Sequence, residues 1–343
     1  MYSVLVLKVP LRKGLKEELI CFWQGVFQTN YDGLHEVFDA NEKGYNHDVV
    51  YLVRKKHKLG GTCHLTHSIM NPELGGLGEV ATAPEFMRMG IAGTVCKAAR
   101  DEFFNHGGRA IFLGTSNPEA ARVYYRLGWR KLAGTNVMAC IANRDSPETF
   151  LVDYYRNNES VTIGQASPND RVSMIPLIAT PHNWQFLDAN TGLYSTRYVL
   201  LESCMSLYPR YEGLLKDNQG TWFGARSDSN RLVGLSTVRL LKTGQCQVDG
   251  FIHQNFTSDL GELVKKALNW GFSKGASTCI ASLSIEDYDK RLSFEKFGFK
   301  GVGIGKPIDI NGREIPTIQM EAEISRNSCY LNQHSEDETI FFK

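Results

Sequence analysis

The segment Tyr124-Tyr-Arg-Leu-Gly-Trp129 returns later in the chain as Phe294-Glu-Lys-Phe-Gly-Phe299, with Gly128 and Gly298 170 positions apart. A repeat about one domain long restricts the chain to two related units placed in series. The order of segments agrees with it. Thr221 to Arg226, a polar turn and Arg231-Leu-Val-Gly234 echo Val50 to Arg54, its turn and Lys58-Leu-Gly-Gly61. A helical pattern of Leu260, Leu263, Val264, Ala267 and Leu268 stops near Gly275, as an earlier one stops at Gly107. At 343 residues the chain also exceeds what one hydrophobic core usually organises. Tandem duplication is the simplest account.

Periodicity gives each unit alternating strands and helices, an α/β pattern. In the first half, Val4–Val9, Asp48–Arg54, Thr62–Ser68, Leu77–Thr82, Ala110–Leu113 and Val137–Ile141 read as strands. Leu15 to Phe27, Ile91–Asn105 and Pro118–Leu127 read as helices, and Asn71 to Gly76 as a loop by its turn residues. Asn143 to Ser160 is polar, helical at most, and carries the boundary. Residues 326–343 read as a polar tail that could close on one short strand.

Lys and Arg number 38 against 37 Asp and Glu, a formal net charge of +1. That balance carries no footprint for nucleic acid or for an anionic membrane. The start, Met1 to Pro10, lacks a basic region and a long apolar run, so a secretory signal is not expected. No stretch approaches the roughly 20 apolar residues of a spanning helix. Eight dispersed cysteines without a CxxC pair suit reduced thiols and a cytoplasmic location. His64 and His67 would lie on opposite faces of a strand, a poor metal clamp, and no metal is expected.

The chemistry concentrates in Leu77-Gly-Glu-Val-Ala-Thr-Ala-Pro-Glu-Phe-Met-Arg-Met-Gly-Ile-Ala-Gly-Thr94. A strand ends at a proline, and a turn with Gly90, Ala92 and Gly93 opens straight into a helix. Small residues let a ligand approach the backbone, and a helix start aims unpaired N–H groups at an anion. Arg88 adds positive charge. The pattern is a phosphate or pyrophosphate cradle. Gly76-x-Gly78-x-x-Ala81 leads into a strand and so is no dinucleotide fingerprint, and no Gly-x-Ser-x-Gly elbow occurs.

This stretch resembles the GNAT superfamily of acyl-CoA-dependent N-acyltransferases, whose signature is Gln/Arg-x-x-Gly-x-Gly/Ala. Met87-Arg-Met-Gly90-Ile-Ala92 fits it at Gly90 and Ala92 and departs at Met87, where Arg88 offers a substitute donor. A second family element, Asn117-x-x-Ala120-x-x-x-Tyr124-x-x-x-Gly128-Trp129, follows in order. The resemblance implies two tandem GNAT-like domains, each a mixed, mostly antiparallel sheet flanked by helices. Residues 1–148 would bind acetyl-CoA, and residues 158–325 would be a degenerate copy. Backbone groups of Val80, Ala81 and Thr82 would hold the pantetheine arm like an added strand. The loop Met87, Arg88, Met89, Gly90, Ile91, Ala92, Gly93 and Thr94 would take the pyrophosphate, and Asn117 the pantetheine side. Tyr124 would protonate the departing thiolate, since a phenol with a pKa of about 10 stays protonated at neutral pH. Glu79 is the first candidate base, ahead of His64 and His67.

The second copy departs where chemistry is needed. Phe294 replaces Tyr124, Asp287 replaces Asn117, and Asp259 and Glu262 set negative charge where a diphosphate would sit. The expected reaction is acetyl transfer to a primary amine of a small molecule, an amino sugar, an antibiotic or another metabolite, by direct attack. A protein lysine or N-terminal amine is the second choice of acceptor, and a CoA-binding sensor the non-enzymatic one. A homodimer is compatible with either. The aromatic stretch Thr180 to Tyr211 is expected either to line the acceptor pocket or to serve as core or interface.

Overall fold

The computed structural model describes residues 2–31, 34–156, 159–204, 206–241, 244–310 and 312–324. The tail expected at 326–343, and its closing strand, lie outside the described residues.

In the first half the strands are β1 (Leu5–Lys8), β2 (Asn46–Lys55), β3 (Lys58–Ser68), β4 (Leu74–Thr82), β5 (Ala110–Gly114), β6 (Arg130–Lys131) and β7 (Val137–Ile141). They form one sheet in the order β1-β2-β3-β4-β5-β7-β6, antiparallel except for β4 beside β5. Helices α1 (Lys13–Phe27) and α2 (Leu34–Phe38) cover one face, and α3 (Ile91–Asn105) and α4 (Pro118–Arg126) the other. Strand β2 shows why both faces must be covered. Val49, Tyr51 and Val53 pack with the α3 residues Val95, Ala99 and Phe103, whereas Val50 and Leu52 pack with Leu19 and Trp23 of α1. A strand apolar on both sides requires a helix layer on each.

Helix α5 (Pro147–Tyr154) leads to the second half, whose first elements are β8 (Val161–Gln165), α6 (Asp170–Ala179), β9 (Phe186–Asp188), β10 (Leu193–Tyr194) and α7 (Leu207–Glu212). Strands β11 (Gly220–Ser227), β12 (Leu232–Leu240) and β13 (Gln245–Ile252), helix α8 (Leu260–Ser273), β14 (Thr278–Ser284) and α9 (Tyr288–Lys296) follow. Strands β15 (Lys300–Ile304), β16 (Ile308–Ile310), β17 (Arg313–Ile315) and β18 (Thr317–Glu323) end the described chain. The sheet order β8-β11-β12-β13-β14-β18-β15 matches the first sheet position by position, with β13 and β14 as its parallel pair. The two long helices stop alike, α3 before Gly107 and α8 before Gly275, both glycines at φ +90°.

The loop expected at 71–76 is shorter than its turn residues suggested, because Leu74, Gly75 and Gly76 already belong to β4. Gly75 is there for close approach, whereas Gly76 has room for a side-chain carbon. A Cβ on Gly75 would stand 3.2 Å from the Phe103 ring, and one on Gly76 would stand 3.5 Å from Val172 of α6. Helices α2, α5 and α6 and the β9–β10 hairpin complete the fold between the recurring strands.

The halves share a core. Leu74, Ala110, Phe112 and Ile141 of the first sheet lie in one apolar cluster with Val172, Ile175 and Ile178 of α6 and Leu201, Tyr208 and Trp222 beyond it. Polar links seal its edge. Asn71 donates to Tyr154 Oη at 2.7 Å and to Ser173 Oγ at 3.3 Å, Asn46 Nδ2 donates to Pro168 O at 2.9 Å, and Arg171 pairs with Glu42. Asn71→Ala leaves a buried phenol without its donor and is expected to cost about 1–3 kcal/mol. Urea unfolding followed by fluorescence measures it, and the wild-type chain should show one transition rather than two.

Candidate active site

Strands β4 and β5 pair only from Leu74↔Ala110 to Gly76↔Phe112. Beyond that point β4 runs on to Thr82 and β5 to Gly114 without a ladder between them. The sheet therefore opens into a V at these C-terminal ends. Such a gap suits an extended ligand that can take the place of a missing strand.

A bulge sits on the β4 side of the V. Thr62 pairs with Ala81 and His64 with Gly78, so Glu79 and Val80 together face the single residue Cys63. Glu79 takes up the extra residue with φ +49°, a left-handed conformation uncommon for a non-glycine residue. Its backbone is held in place, because Thr62 Oγ1 donates to Glu79 O at 2.9 Å while accepting from Trp23 Nε1 at 2.8 Å. Val80 packs towards α3 and Ala81 towards α1.

The Glu79 side chain meets His64. His64 Nδ1 lies 3.1 Å from Glu79 Oε2, and His64 Nε2 lies 2.8 Å from Asp48 Oδ1, which also accepts from Thr66 Oγ1 at 2.7 Å. His64 is 2% exposed and has the Phe38 ring edge-on at 5.3 Å. Burial opposes its charge, but hydrogen bonds to Asp48 and Glu79 outweigh it and lift the imidazole to about 9. The unit at neutral pH is an imidazolium between two carboxyl groups. Tyr31 stands close enough that burial and Glu79 together raise its phenol. His67 faces the other way, against Phe103 and His47, and burial followed by the His47 charge lowers it.

Tyr124 approaches the bulge from the α3 face. It is 6% exposed, its ring centroid is 6.2 Å from that of Trp129, and burial together with the Cys96 and Cys63 thiols raises its phenol. Cys63, the residue opposite the bulge, feels Glu79 as well. Cys63 thus lies within electrostatic reach of both the predicted acid, on the α3 face, and the predicted base, on the opposite face.

The loop from β4 to α3 is open to solvent. A short turn at Pro84–Phe86 leads to Met87 and Met89, both exposed, and to Arg88 at φ +62°. Gly90 occupies the N-cap of α3 at φ +79°, where a side chain would be strained. No side chain caps this helix start, and a Cβ on Gly90 would meet nothing within 4 Å. Ile91 points into the core, while Ala92 and Gly93 keep the first turn slim. Thr94 Oγ1 donates to Gly90 O at 3.0 Å, and Arg88 reaches Glu119 at 3.9 Å. Asn117 caps α4 by accepting from the amides of Glu119 at 2.9 Å and Ala120 at 3.4 Å. Among the described residues no group of three or more His, Cys, Asp or Glu could hold a metal.

Sequence reasoning missed Asp48, the partner that keeps His64 charged. The signal was present in the ladder, since Val50 pairs with His64 and Asp48 with Thr66, but it emerges only once β2 and β3 are in register.

Residues 13–129 match the family model described as "Acetyltransferase (GNAT) family", and they constitute a GNAT acyltransferase domain. Similar solved structures include a spermidine N-acetyltransferase of Vibrio cholerae, 19% identical over 50% of this chain and 97% of its own, with a TM-score of 0.39. A GNAT-family acetyltransferase of Streptococcus pneumoniae is 14% identical over 48% of this chain and 100% of its own, with a TM-score of 0.37. With TM-scores below 0.5 these likenesses add nothing to the assignment, which rests on the family model. The search of curated proteins gives no match. No helix among the described residues is long and apolar enough to cross a membrane.

A raised imidazole has a consequence for stability. His64 is lifted from an ordinary value near 6.5 to about 9, so its contribution is full below about 6.5 and is lost as pH rises through about 9. The difference in unfolding free energy between wild type and His64→Gln, measured from pH 6 to 10, should shrink across that window.

Proposed function

With residues 13–129 an acyltransferase domain, we propose that the chain transfers an acetyl group from acetyl-CoA to a primary amine of a small molecule, as a cytoplasmic enzyme with its catalytic unit in residues 1–148. The observation that carries this is the unpaired edge of β4 beside an uncapped helix start, with Glu79 in the bulge of the same strand.

The roles follow from that arrangement. Unpaired backbone groups of Val80, Ala81 and Thr82 extend a ladder to the pantetheine amides. Amides of Arg88 to Gly93 take the diphosphate at the start of α3, with Met87 and Met89 flanking them and Arg88 swinging in from solvent. The Thr94 hydroxyl donates its one hydrogen to Gly90 O and reaches the diphosphate by rotating that hydrogen outward. Asn117 holds the start of α4 where the pantetheine passes.

The amine nitrogen attacks the thioester carbon, and its surplus proton leaves through a water to Glu79, whose carboxyl group His64 and Asp48 orient. The oxyanion formed faces the main chain of the bulge. The C–S bond then breaks, and the CoA thiolate takes its proton from Tyr124. Burial raises that phenol, which keeps it in the protonated form a donor needs at neutral pH. A cationic amine is favoured by the Glu79 carboxyl group and by the aromatic wall of Tyr31 and Phe27, whose rings lie 5.9 Å apart. Residues 158–325, on this reading, are a copy that kept the sheet and lost the chemistry.

Tyr124→Phe is expected to lower kcat about 10²–10⁴-fold. Its affinity for CoA should stay within about twofold, since the step removed occurs only in the transition state. Release of free CoA from acetyl-CoA across a panel of amines, with this variant as control, is the measurement. CoA binding with no turnover on any amine would replace the enzyme with a CoA-binding sensor.

A further inference from the structure

Strands β13 and β14 open in the same way as β4 and β5. Their ladder runs from Gln245↔Thr278 to Gln247↔Ile280, after which β13 continues to Ile252 and β14 to Ser284. This second V is filled by the chain itself. Residues 185–190, which include β9, lie across it and are held from both sides.

On the α9 side, Asp287 stands at the N-cap but does not cap its own helix. Its Oδ1 accepts from the Gln185 amide at 2.6 Å and its Oδ2 from the Phe186 amide at 2.9 Å. One turn on, Lys290 Nζ donates to Phe186 O at 2.8 Å and to Leu187 O at 3.1 Å. From the β13 side, Asp249 Oδ1 pairs with Lys290 Nζ at 2.6 Å, both side chains being fully buried, and Asp249 Oδ2 accepts from the Ala189 amide at 2.8 Å. Thr237 Oγ1 donates to Asp188 Oδ1 at 2.9 Å and accepts from Asn190 Nδ2 at 3.0 Å. Apart from the Asp249–Lys290 pair, each contact is made to the main chain of the segment or to its own polar side chains.

The matching positions of the first half explain the exchange. Asn117 Oδ1 accepts from the first amides of α4, whereas both Asp287 oxygens accept from the strand-like segment instead. Lys290 replaces Ala120, placing a long cation where the first half leaves room. The β12–β13 ladder is continuous, without the extra residue that Glu79 introduces in β4.

Past the β9–β10 hairpin the chain crosses to the first half. Thr196 O packs on Gly134, Leu201 pairs with Thr135, and the Asn136 amide donates to Leu201 O at 2.8 Å. Ser203 and Cys204 lie against Gly114, the last residue of β5 at the mouth of the first V, where a Cβ would stand 3.0 Å from the Cys204 amide. Glu202 is exposed between them.

We propose that the second half has turned its cofactor groove into a clamp for residues 185–190, and that the clamp fixes residues 196–204 as a wall of the first half's acceptor site. Asp287 and Lys290 are then positioning residues for the acceptor, acting through a segment some ten residues further along. The kinetic part rests on the acyltransferase reading above; the clamp itself does not.

The test uses Asp287→Asn, which keeps the side chain's shape and one acceptor, and Thr237→Val as a milder second variant in case the first does not fold. Three readouts are taken on the full chain. Calorimetric titration with CoA should give one equivalent per chain for wild type and both variants, and two equivalents would overturn the clamp. Amide exchange should rise in residues 185–190 and also in 196–204. A rise confined to the first segment would overturn the link between clamp and wall. With acetyl-CoA saturating, the acceptor KM should increase about three- to tenfold, with kcat and the acetyl-CoA KM unchanged, as expected when a positioning contact is weakened. A merely structural role would lower the fraction of active protein and leave KM alone. If wild type turns over no amine, the acyltransferase reading fails, while titration and exchange still decide the clamp.

Discussion

One extra residue in β4 governs the first half. A sheet whose central parallel pair kept its ladder to the end would have no gap, and its strand edge would already be bonded. The bulge at Glu79 turns its backbone, and the Trp23–Thr62–Glu79 chain holds that turned backbone against α1. It also places the Glu79 carboxyl group beside His64 and keeps Val80 on the α3 side, towards Tyr124. The place of the candidate base depends on this local irregularity, whereas the gap does not, since β13 and β14 part without one. The cost is a non-glycine residue at positive φ, of order 1–3 kcal/mol, which the surrounding hydrogen bonds offset.

What could be read from the sequence is what local spacing encodes. Gly90, Ala92 and Gly93 before a helix signal an exposed anion cradle whatever the rest of the chain does, and the helix starts at Ile91 with Gly90 as its cap. The order of segments along each half was legible through the repeat, whereas the order of strands across each sheet emerges only from the structure. The bulge was not legible, because alternation along Leu77 to Thr82 reads the same with or without one unpaired residue. Asp48 escaped for a related reason. It lies 16 positions before His64, and only the β2–β3 register brings them together. Gly75 and Gly76 carry turn chemistry in the sequence, yet both lie in β4, and Gly75 serves close packing against Phe103.

The second half illustrates how a repeat can be informative and incomplete together. Asp287 and Phe294 set it apart from the first half, yet neither says what fills the opening between β13 and β14. Lys290 at the position of Ala120 was the overlooked sign, because a lysine among small and apolar neighbours must find a carboxylate and carbonyl oxygens if it is buried. Asp249, Phe186 and Leu187 supply them. Burial of Asp249 raises its own carboxyl group, and Asp188 nearby is pushed up to about 7 by burial and by Asp249. The groove's interior is thus a charge cluster organised around a peptide segment.

The apolar cluster shared between the halves bears on synthesis as well as on stability. Leu74, Ala110, Phe112 and Ile141 emerge from the ribosome well before Leu201, Tyr208 and Trp222, which finish covering them. Until roughly the residues of α7 have left the exit tunnel, the nascent first sheet carries a bare oily face. Domains usually fold in the order they are made, but here the earlier one must wait for its sibling to become properly shielded, leaving an interval in which a chaperone, or another unfinished chain, can reach that surface.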